Sequence, residues 1–136
     1  MVNTMLLRIH QSGYLSKMPQ ERFDLIKEGI ACYKNIRTNI NESFPFWPIG
    51  LPSFSDEWLS LGLNCGIKVY IAVWRLDGEN EKCSFPVKCL NGKNVSVKCI
   101  YPKSSTISYE WDKNKTCLMV NYPAQYTARL YEFEII

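Results

Sequence analysis

The chain has 136 residues, of which 46% are hydrophobic and 13% aromatic, and its formal net charge is +3. This composition is typical of one folded domain and not of a disordered chain. Lysines and acidic residues are interspersed without a basic run, so the charge pattern gives no indication of binding to nucleic acid. The apolar run near the N-terminus is too short for a signal peptide or a membrane span. We therefore expect a cytoplasmic protein with no membrane partner.

The cysteine pattern favours reduced thiols over a metal site. The six cysteines lie inside apolar or strand-like runs, and no two of them have CxxC spacing. His10 is the only histidine, so the ligand set of a zinc site is missing. We expect the thiols to act as small buried hydrophobes, and we predict no metal and no cofactor.

The first forty residues predict a single β/α unit. Residues 5–10, MLLRIH, form an apolar run that we interpret as a buried strand, although so short a run is also compatible with a helix. A helix is predicted over residues 19–37, with Pro19 in its first turn. Its apolar stripe contains Phe23, Ile26, Ile30 and Tyr33. A lone unit of this kind cannot cover both faces of a parallel sheet, so residues 1–40 resemble a piece of a larger α/β domain.

Residues 41–57 separate this helical pattern from a β pattern. Because proline cannot continue a helix, the segment marks a boundary, and its aromatic residues indicate burial. We predict a packed junction. Its prolines, glycine and aromatic residues are Pro45, Pro48, Pro52, Gly50, Phe44, Phe46, Trp47 and Phe54.

Residues 58–136 predict an antiparallel β-sandwich. Apolar and polar residues alternate in short runs with turn residues between them, and no helical pattern follows Trp58. In the second run, Val69 and Ile71 share one face while Tyr70 and Trp74 share the other. Seven strands are predicted, over residues 58–64, 67–76, 83–87, 94–101, 105–111, 116–121 and 126–135.

The carboxylates do not form a catalytic pattern. Glycoside hydrolysis needs two converging carboxyl groups, and adjacent residues such as Asp56 and Glu57 point to opposite faces of a strand. We expect these side chains to cap turns and to be solvated, and we predict no catalytic residue in the chain. His10 and Ser12 lie where a β/α strand ends, the edge that carries sites in such folds. They are candidates for a substrate rim, against the more ordinary interpretation of polar loop residues.

Four aromatic residues have two possible roles. Phe44, Phe46, Trp47 and Trp74 are candidates for a platform on which a sugar stacks. Packing between domains is the preferred interpretation, because aromatic side chains dominate buried contacts as well.

Several stretches resemble a known family. The run RIHQSGYLSKMPQERFDLIKEGIACYKNIR and the later run YPAQYTARLYEFEI resemble the C-terminal end of α-galactosidases (melibiases) of glycoside hydrolase family 36. The most telling matches lie at residues 9–13, 25–29, 33–34 and 128–131, and the similarity covers nearly the whole chain.

The resemblance implies a (β/α)8 barrel followed by a small antiparallel sandwich. Residues 5–37 would be the last strand and helix of the barrel, and the sandwich would begin near residue 54. The family's two catalytic aspartates lie on earlier barrel strands and are not in this chain, since a barrel of about 250 residues cannot fit into it. His10 and Ser12 would then face the rim of the barrel's active site.

Three functions follow as expectations. The first is an accessory domain that supports a catalytic barrel, its expected partner, and is inert alone. The second is a stand-alone module that binds carbohydrate, with α-galactosides as one class of candidate ligand. The third is a structural domain that forms a homo-oligomer through the stripe from Phe23 to Tyr33, because large apolar patches favour association.

Overall fold

A computed structural model describes residues 1–9, 13–103 and 107–136, and these residues form three layers. The helices are α1 (Val2–Met5) and α2 (Gln20–Ile40), with 3-10 turns at Leu15–Lys17 and Lys88–Leu90. None of the described helices has the length and apolar character needed to cross a membrane. The strands are β1 (Phe44–Phe46), β2 (Trp58–Asn64), β3 (Lys68–Arg75), β4 (Lys82–Pro86), β5 (Val95–Tyr101), β6 (Ser108–Asp112), β7 (Cys117–Asn121) and β8 (Thr127–Ile135).

The strands form two antiparallel sheets, so the fold is mainly β, as the sequence predicts. One sheet has five strands in the order β1-β2-β3-β8-β5, and the other has three in the order β4-β7-β6. Each of the seven predicted strands is observed, with bounds shifted by a few residues at most. The strand predicted over residues 105–111 begins outside the described residues and is observed as β6. The additional strand, β1, was not predicted, because its three residues contain Pro45, which is unfavourable in strands.

Strand β3 lies at the centre of the molecule and is buried on both faces. Val69, Ile71 and Val73 pack against the three-stranded sheet in a core that includes Phe85 and Leu118. Tyr70 and Ala72 face the other way, towards α2. The alternation predicted for this strand is therefore confirmed, and each set of residues contributes to a different core.

Helix α2 covers the outer face of the five-stranded sheet. Its buried side is formed by Gly29, Cys32 and Ile36. A Cβ at Gly29 would lie 2.8 Å from the Met1 side chain and 3.3 Å from the Tyr101 ring, so the glycine permits close approach of its neighbours. The predicted stripe from Phe23 to Tyr33 lies at the margin of this contact and is half-buried instead of fully exposed.

The predicted β/α unit is not confirmed, because no strand is observed over residues 5–9. Helix α1 and a turn lie there instead, and His10 is outside the described residues. Val2, Met5 and Leu6 are spaced as on one side of a helix, and all three are buried in the core beneath α2. They cover a face of the sheet and do not extend its edge, which explains why this apolar run forms no strand.

The division of the chain into residues 1–40, 41–57 and 58–136 stays a prediction. The structure adds that the first and last segments share a core, in which Cys32 and Ile36 of α2 pack with Leu130 of β8.

Candidate functional site

The structure brings three of the predicted aromatic residues together. Phe44, Phe46 and Trp47 line a groove of about 360 Å3 at one edge of the two sheets. The opposite wall comes from the end of β4 and the following 3-10 turn, where Pro86 and Lys88 lie. We call this the aromatic groove. His10 and Ser12, the predicted rim residues, lie outside the described residues, and their role stays a prediction.

The floor of the aromatic groove is fixed by a glycine. In the β1–β2 pairing Phe46 is opposite Gly62, and a Cβ at Gly62 would overlap the Phe46 ring. The ring contacts the glycine and packs against the core between the sheets. Glycine inside a strand often marks such a close approach. Phe44, two residues earlier and thus on the same face, is 77% exposed, and Trp47 is 42% exposed.

Trp74 does not belong to this platform, which corrects the predicted grouping. Its side chain packs with the core beneath α2, on the sheet face opposite to the one that Phe46 covers. Its indole Nε1 donates a hydrogen bond to Asn3 Oδ1 at 2.7 Å. Trp74 therefore joins the N-terminal segment to the sheet.

The predicted packed junction is exposed at several positions. Ile49 is 41% exposed, Leu51 is 75% exposed and Phe54 is fully exposed. The backbone around them is nevertheless held in turns: Gly50 N donates to Trp47 O, and Ser53 N donates to Asp56 Oδ2 at 2.7 Å. Leu51 and Phe54 are therefore largely uncovered by the described residues, and packing of the junction against a further domain stays a prediction.

The carboxylates have structural partners, as expected for capping groups. Asp56 accepts from Ser53, and Asp112 accepts from Lys115 N at 3.0 Å. Glu57 accepts a hydrogen bond from Asn80 Nδ2. These contacts hold turns in place and do not converge on a common point.

One buried carboxylate, Glu132, lies between two lysines. Its oxygens are 2.6 Å from Lys98 Nζ and 3.2 Å from Lys68 Nζ. Burial raises the pKa of Glu132, but the two ammonium groups outweigh burial and leave the pKa below its ordinary value. Glu132 also lines a cavity of about 430 Å3 between α2 and β5. Since its charge is already balanced, the carboxylate is suited to linking strands and not to proton transfer.

Five of the six cysteines are poor nucleophiles at neutral pH. Burial raises the pKa of the Cys32 thiol to about 11, and burial also raises the pKa of the thiols of Cys65, Cys83, Cys89 and Cys117. Nucleophilic chemistry requires the thiolate, which these shifts disfavour. Among the described residues, no group of three or more His, Cys, Asp or Glu side chains is placed to hold a metal ion.

Two polar residues of the aromatic groove were not predicted. Asn64 ends β2, and Lys88 lies in the 3-10 turn after β4. Asn64 reaches the groove because β2 pairs with β1, which places it opposite Phe44. Lys88 reaches it because the edge strands β1 and β4 of the two sheets meet there. No local pattern in the sequence signals this meeting.

Comparison with known proteins reveals similarity of structure. No protein-family model matches the sequence, and no curated protein matches it. The galactosidase domain of the α-galactosidase–sucrose kinase AgaSK superposes with a TM-score of 0.66 at 18% identity, over 89% of this chain and 17% of that chain. The GH36 α-galactosidase AgaA from Geobacillus stearothermophilus, in complex with raffinose, gives a TM-score of 0.67 at 10% identity, with the same coverage.

An α-galactosidase from Lactobacillus brevis matches 90% of this chain and 18% of its own, with a TM-score of 0.64 at 15% identity. The chain thus spans less than a fifth of the length of these proteins. At such identities the likeness is one of fold, and the resemblance seen in the sequence is confirmed at that level. The fold of this chain is that of the C-terminal domains of glycoside hydrolase family 36 α-galactosidases.

Proposed function

We propose that this chain is the accessory domain of an α-galactosidase-like glycoside hydrolase. In this role it supports a catalytic (β/α)8 barrel and has no glycosidase activity alone. The observation that carries the proposal is the exposed apolar loop over residues 47–54, which we call the docking loop. Leu51 is 75% exposed, Phe54 is fully exposed and Ile49 is 41% exposed.

The docking loop has the properties of the centre of a protein interface. Its eight residues, WPIGLPSF, carry no charged side chain. Centres of interfaces are depleted of charge and enriched in aromatic residues. Burying a leucine or phenylalanine side chain contributes about 1.5–3 kcal/mol, so Leu51 and Phe54 are unfavourable on a surface that stays in water. A partner that covers them recovers this free energy.

The catalytic barrel is the partner that the fold supports best. Each matched protein contains this fold within a chain about five times as long, and their descriptions name them as α-galactosidases or galactosidase domains. The carboxylates described above are occupied in turns and ion pairs. The two carboxyl groups that retaining glycosidases use must then come from the partner domain.

The test begins with the DNA upstream of this coding sequence. We expect an in-frame (β/α)8 barrel with two aspartates on its strands. In that continuous polypeptide, Phe54→Glu should weaken docking by about 2 kcal/mol or more, since it places a charge in an apolar contact. Differential scanning calorimetry should show the barrel unfolding at a lower temperature, with a parallel loss of nitrophenyl α-galactosidase activity.

The control is Ile67→Glu, which places the same charge at an apolar residue that is 70% exposed in the turn between β2 and β3. It should leave the unfolding temperature of the barrel unchanged. A stop codon upstream, or turnover of the nitrophenyl galactoside by the 136-residue chain alone, contradicts the proposal. If light scattering instead shows that Phe54→Glu dissociates a dimer of the chain, the docking loop is a surface for self-association.

A further inference from the structure

We propose that the aromatic groove is a binding site for a neutral oligosaccharide, one or two pyranose rings of which stack on Phe44 and Trp47. Trp47 belongs to both the groove and the docking loop, but Phe44 and Lys88 lie only in the groove, while Leu51 and Phe54 lie only in the docking loop. Variants at these positions therefore test the two proposals separately. The site is built from four parts: two exposed aromatic rings, a fixed floor, two polar side chains and a closed strand edge.

The exposed rings provide the apolar surface. Phe44 and Trp47 line the same groove and keep 77% and 42% of their surface exposed. Pyranose rings carry axial C–H groups on one face and hydroxyl groups around the rim. An aromatic ring offers a flat face of negative electrostatic potential, which attracts such polarised C–H groups. Rings that have two side-chain torsions lose little conformational entropy when a ligand orders them.

The groove is formed before any ligand arrives. The Phe46 ring is held between Gly62 and the core of the sandwich, so the floor cannot collapse into the space. Pro45, Pro48 and Pro86 line the walls, and their fixed φ angles restrict the backbone on both sides. A preformed site avoids part of the entropic cost of binding.

Polar groups lie beside the aromatic rings. Asn64 Oδ1 accepts a hydrogen bond from Gly66 N at 3.1 Å, and this bond orients the amide. The amide N–H donors have no partner among the described residues. Lys88 adds an ammonium group, while no carboxylate lines the groove. Asn64 and Lys88 therefore provide hydrogen-bond donors to the hydroxyl oxygens of a sugar. The described part of the groove has no carboxylate that would bind a cationic ligand.

The strand edge and the volume argue against a peptide ligand. Strand β1 is at the edge of the five-stranded sheet, and Pro45 at its centre lacks the N–H that an added strand would use. The volume of about 360 Å3 is at the lower end of the range of roughly 300–1,000 Å3 for small-ligand sites. One or two sugar rings fit such a volume better than an extended peptide.

The test is a titration of the 136-residue chain followed by two-dimensional NMR of its four tryptophan indole N–H signals. Raffinose, maltotriose, cellotriose and chitotriose serve as neutral probes. We expect at least one of them to shift the Trp47 signal in a saturable way, with the signal of Trp74 unchanged. Phe44→Ala should weaken binding at least tenfold, and Lys88→Ala should weaken it less.

Phe54→Ala is the matched control, since this exposed aromatic residue lies outside the groove. It should bind the probe with unchanged affinity, and every variant must retain the dispersed spectrum of the folded chain. Absence of a saturable Trp47 shift with all four sugars overturns the inference. Equal weakening by Phe44→Ala and Phe54→Ala overturns it as well, as does saturable binding of a proline-rich peptide in the groove when the sugars do not bind.

Discussion

At Gly62 the absence of a side chain decides the shape of the aromatic groove. The Phe46 ring occupies the space that any Cβ would take, so the close contact of β1 with β2 requires glycine here. The glycine has no positive φ, and its role is to leave space and not to permit an unusual backbone. A substitution at this position therefore acts through the Phe46 ring.

We predict that Gly62→Ala destabilises the chain by about 1–3 kcal/mol, because the new methyl group displaces the Phe46 ring from the core. Urea unfolding followed by tryptophan fluorescence measures the change. The control is a double-mutant cycle: in a Phe46→Ala background the same substitution should cost much less. Equal costs in both backgrounds would mean that the ring is not the cause.

Glu132 connects stability with pH. Lys98 and Lys68 hold its pKa below the ordinary value of 4.5 despite burial. A carboxyl group whose pKa is lowered in the folded state stabilises that state above its unfolded pKa. The contribution is lost as the pH falls through the folded pKa. The ion pairs thus stabilise the chain at neutral pH and are lost in acid below pH 4.5.

We predict that Glu132→Gln lowers the free energy of unfolding at pH 7 by about 1–3 kcal/mol, since charge-assisted hydrogen bonds are lost. The difference from the wild-type chain should shrink as the pH is lowered below 4.5. Urea titrations at several pH values measure it. Glu134→Gln is the control, because Glu134 is 3.6 Å from Lys68 and half-exposed, and it should change stability by less than about 0.5 kcal/mol. If Glu132→Gln lowered the free energy of unfolding by the same amount at every pH, this account would be contradicted.

Elements whose signal is local could be predicted from the sequence. Strand β3 is long and alternates clearly, and α2 has a long periodic pattern, so their type and approximate bounds were correct. The structure of the residues around α1 could not be predicted, because the six-residue apolar run at 5–10 fits a strand as well as a helix. The choice between strand and helix depends on which face of the sheet these residues cover.

The aromatic groove shows the same limit. Its aromatic residues are close together in the sequence, so Phe44, Phe46 and Trp47 could be predicted to act together. Trp74 lies on the opposite face of the sheet from Phe46, so the grouping of Trp74 with these residues is wrong. The face that Phe46 covers depends on the pairing of β1 with β2, which no local pattern in the sequence shows. Lys88 comes from the other sheet, and only the tertiary structure brings it to the groove.

Helix α1 provides a prediction at the level of the element. Met5 is fully buried and Leu7 is 69% exposed, whereas a strand would place both on one face. Met5→Ala should therefore destabilise the chain by about 2–5 kcal/mol, and Leu7→Ala by less than about 0.5 kcal/mol. Thermal unfolding followed by circular dichroism compares the two. Similar losses for both variants would favour the strand that the sequence suggested.

For the molecule as a whole, β3 and β8 join the two cores. Each strand contributes residues to the core between the sheets and to the core beneath α2. Such sharing predicts cooperative unfolding, because α2 cannot detach without exposing Tyr70 and Leu130, both of which are fully buried.

We predict that the chain unfolds in a single two-state transition. Ellipticity at the helix band reports on α2, and tryptophan fluorescence includes Trp58 in the core between the sheets. The two probes should give the same midpoint in urea, and Met5→Ala should lower both midpoints equally although it changes only the core beneath α2. Phe85→Leu, in the other core, is the reciprocal variant and should again move both probes together. If Met5→Ala shifted only the helix signal, residues 1–40 would behave as a separate folding unit, as expected for the end of a barrel.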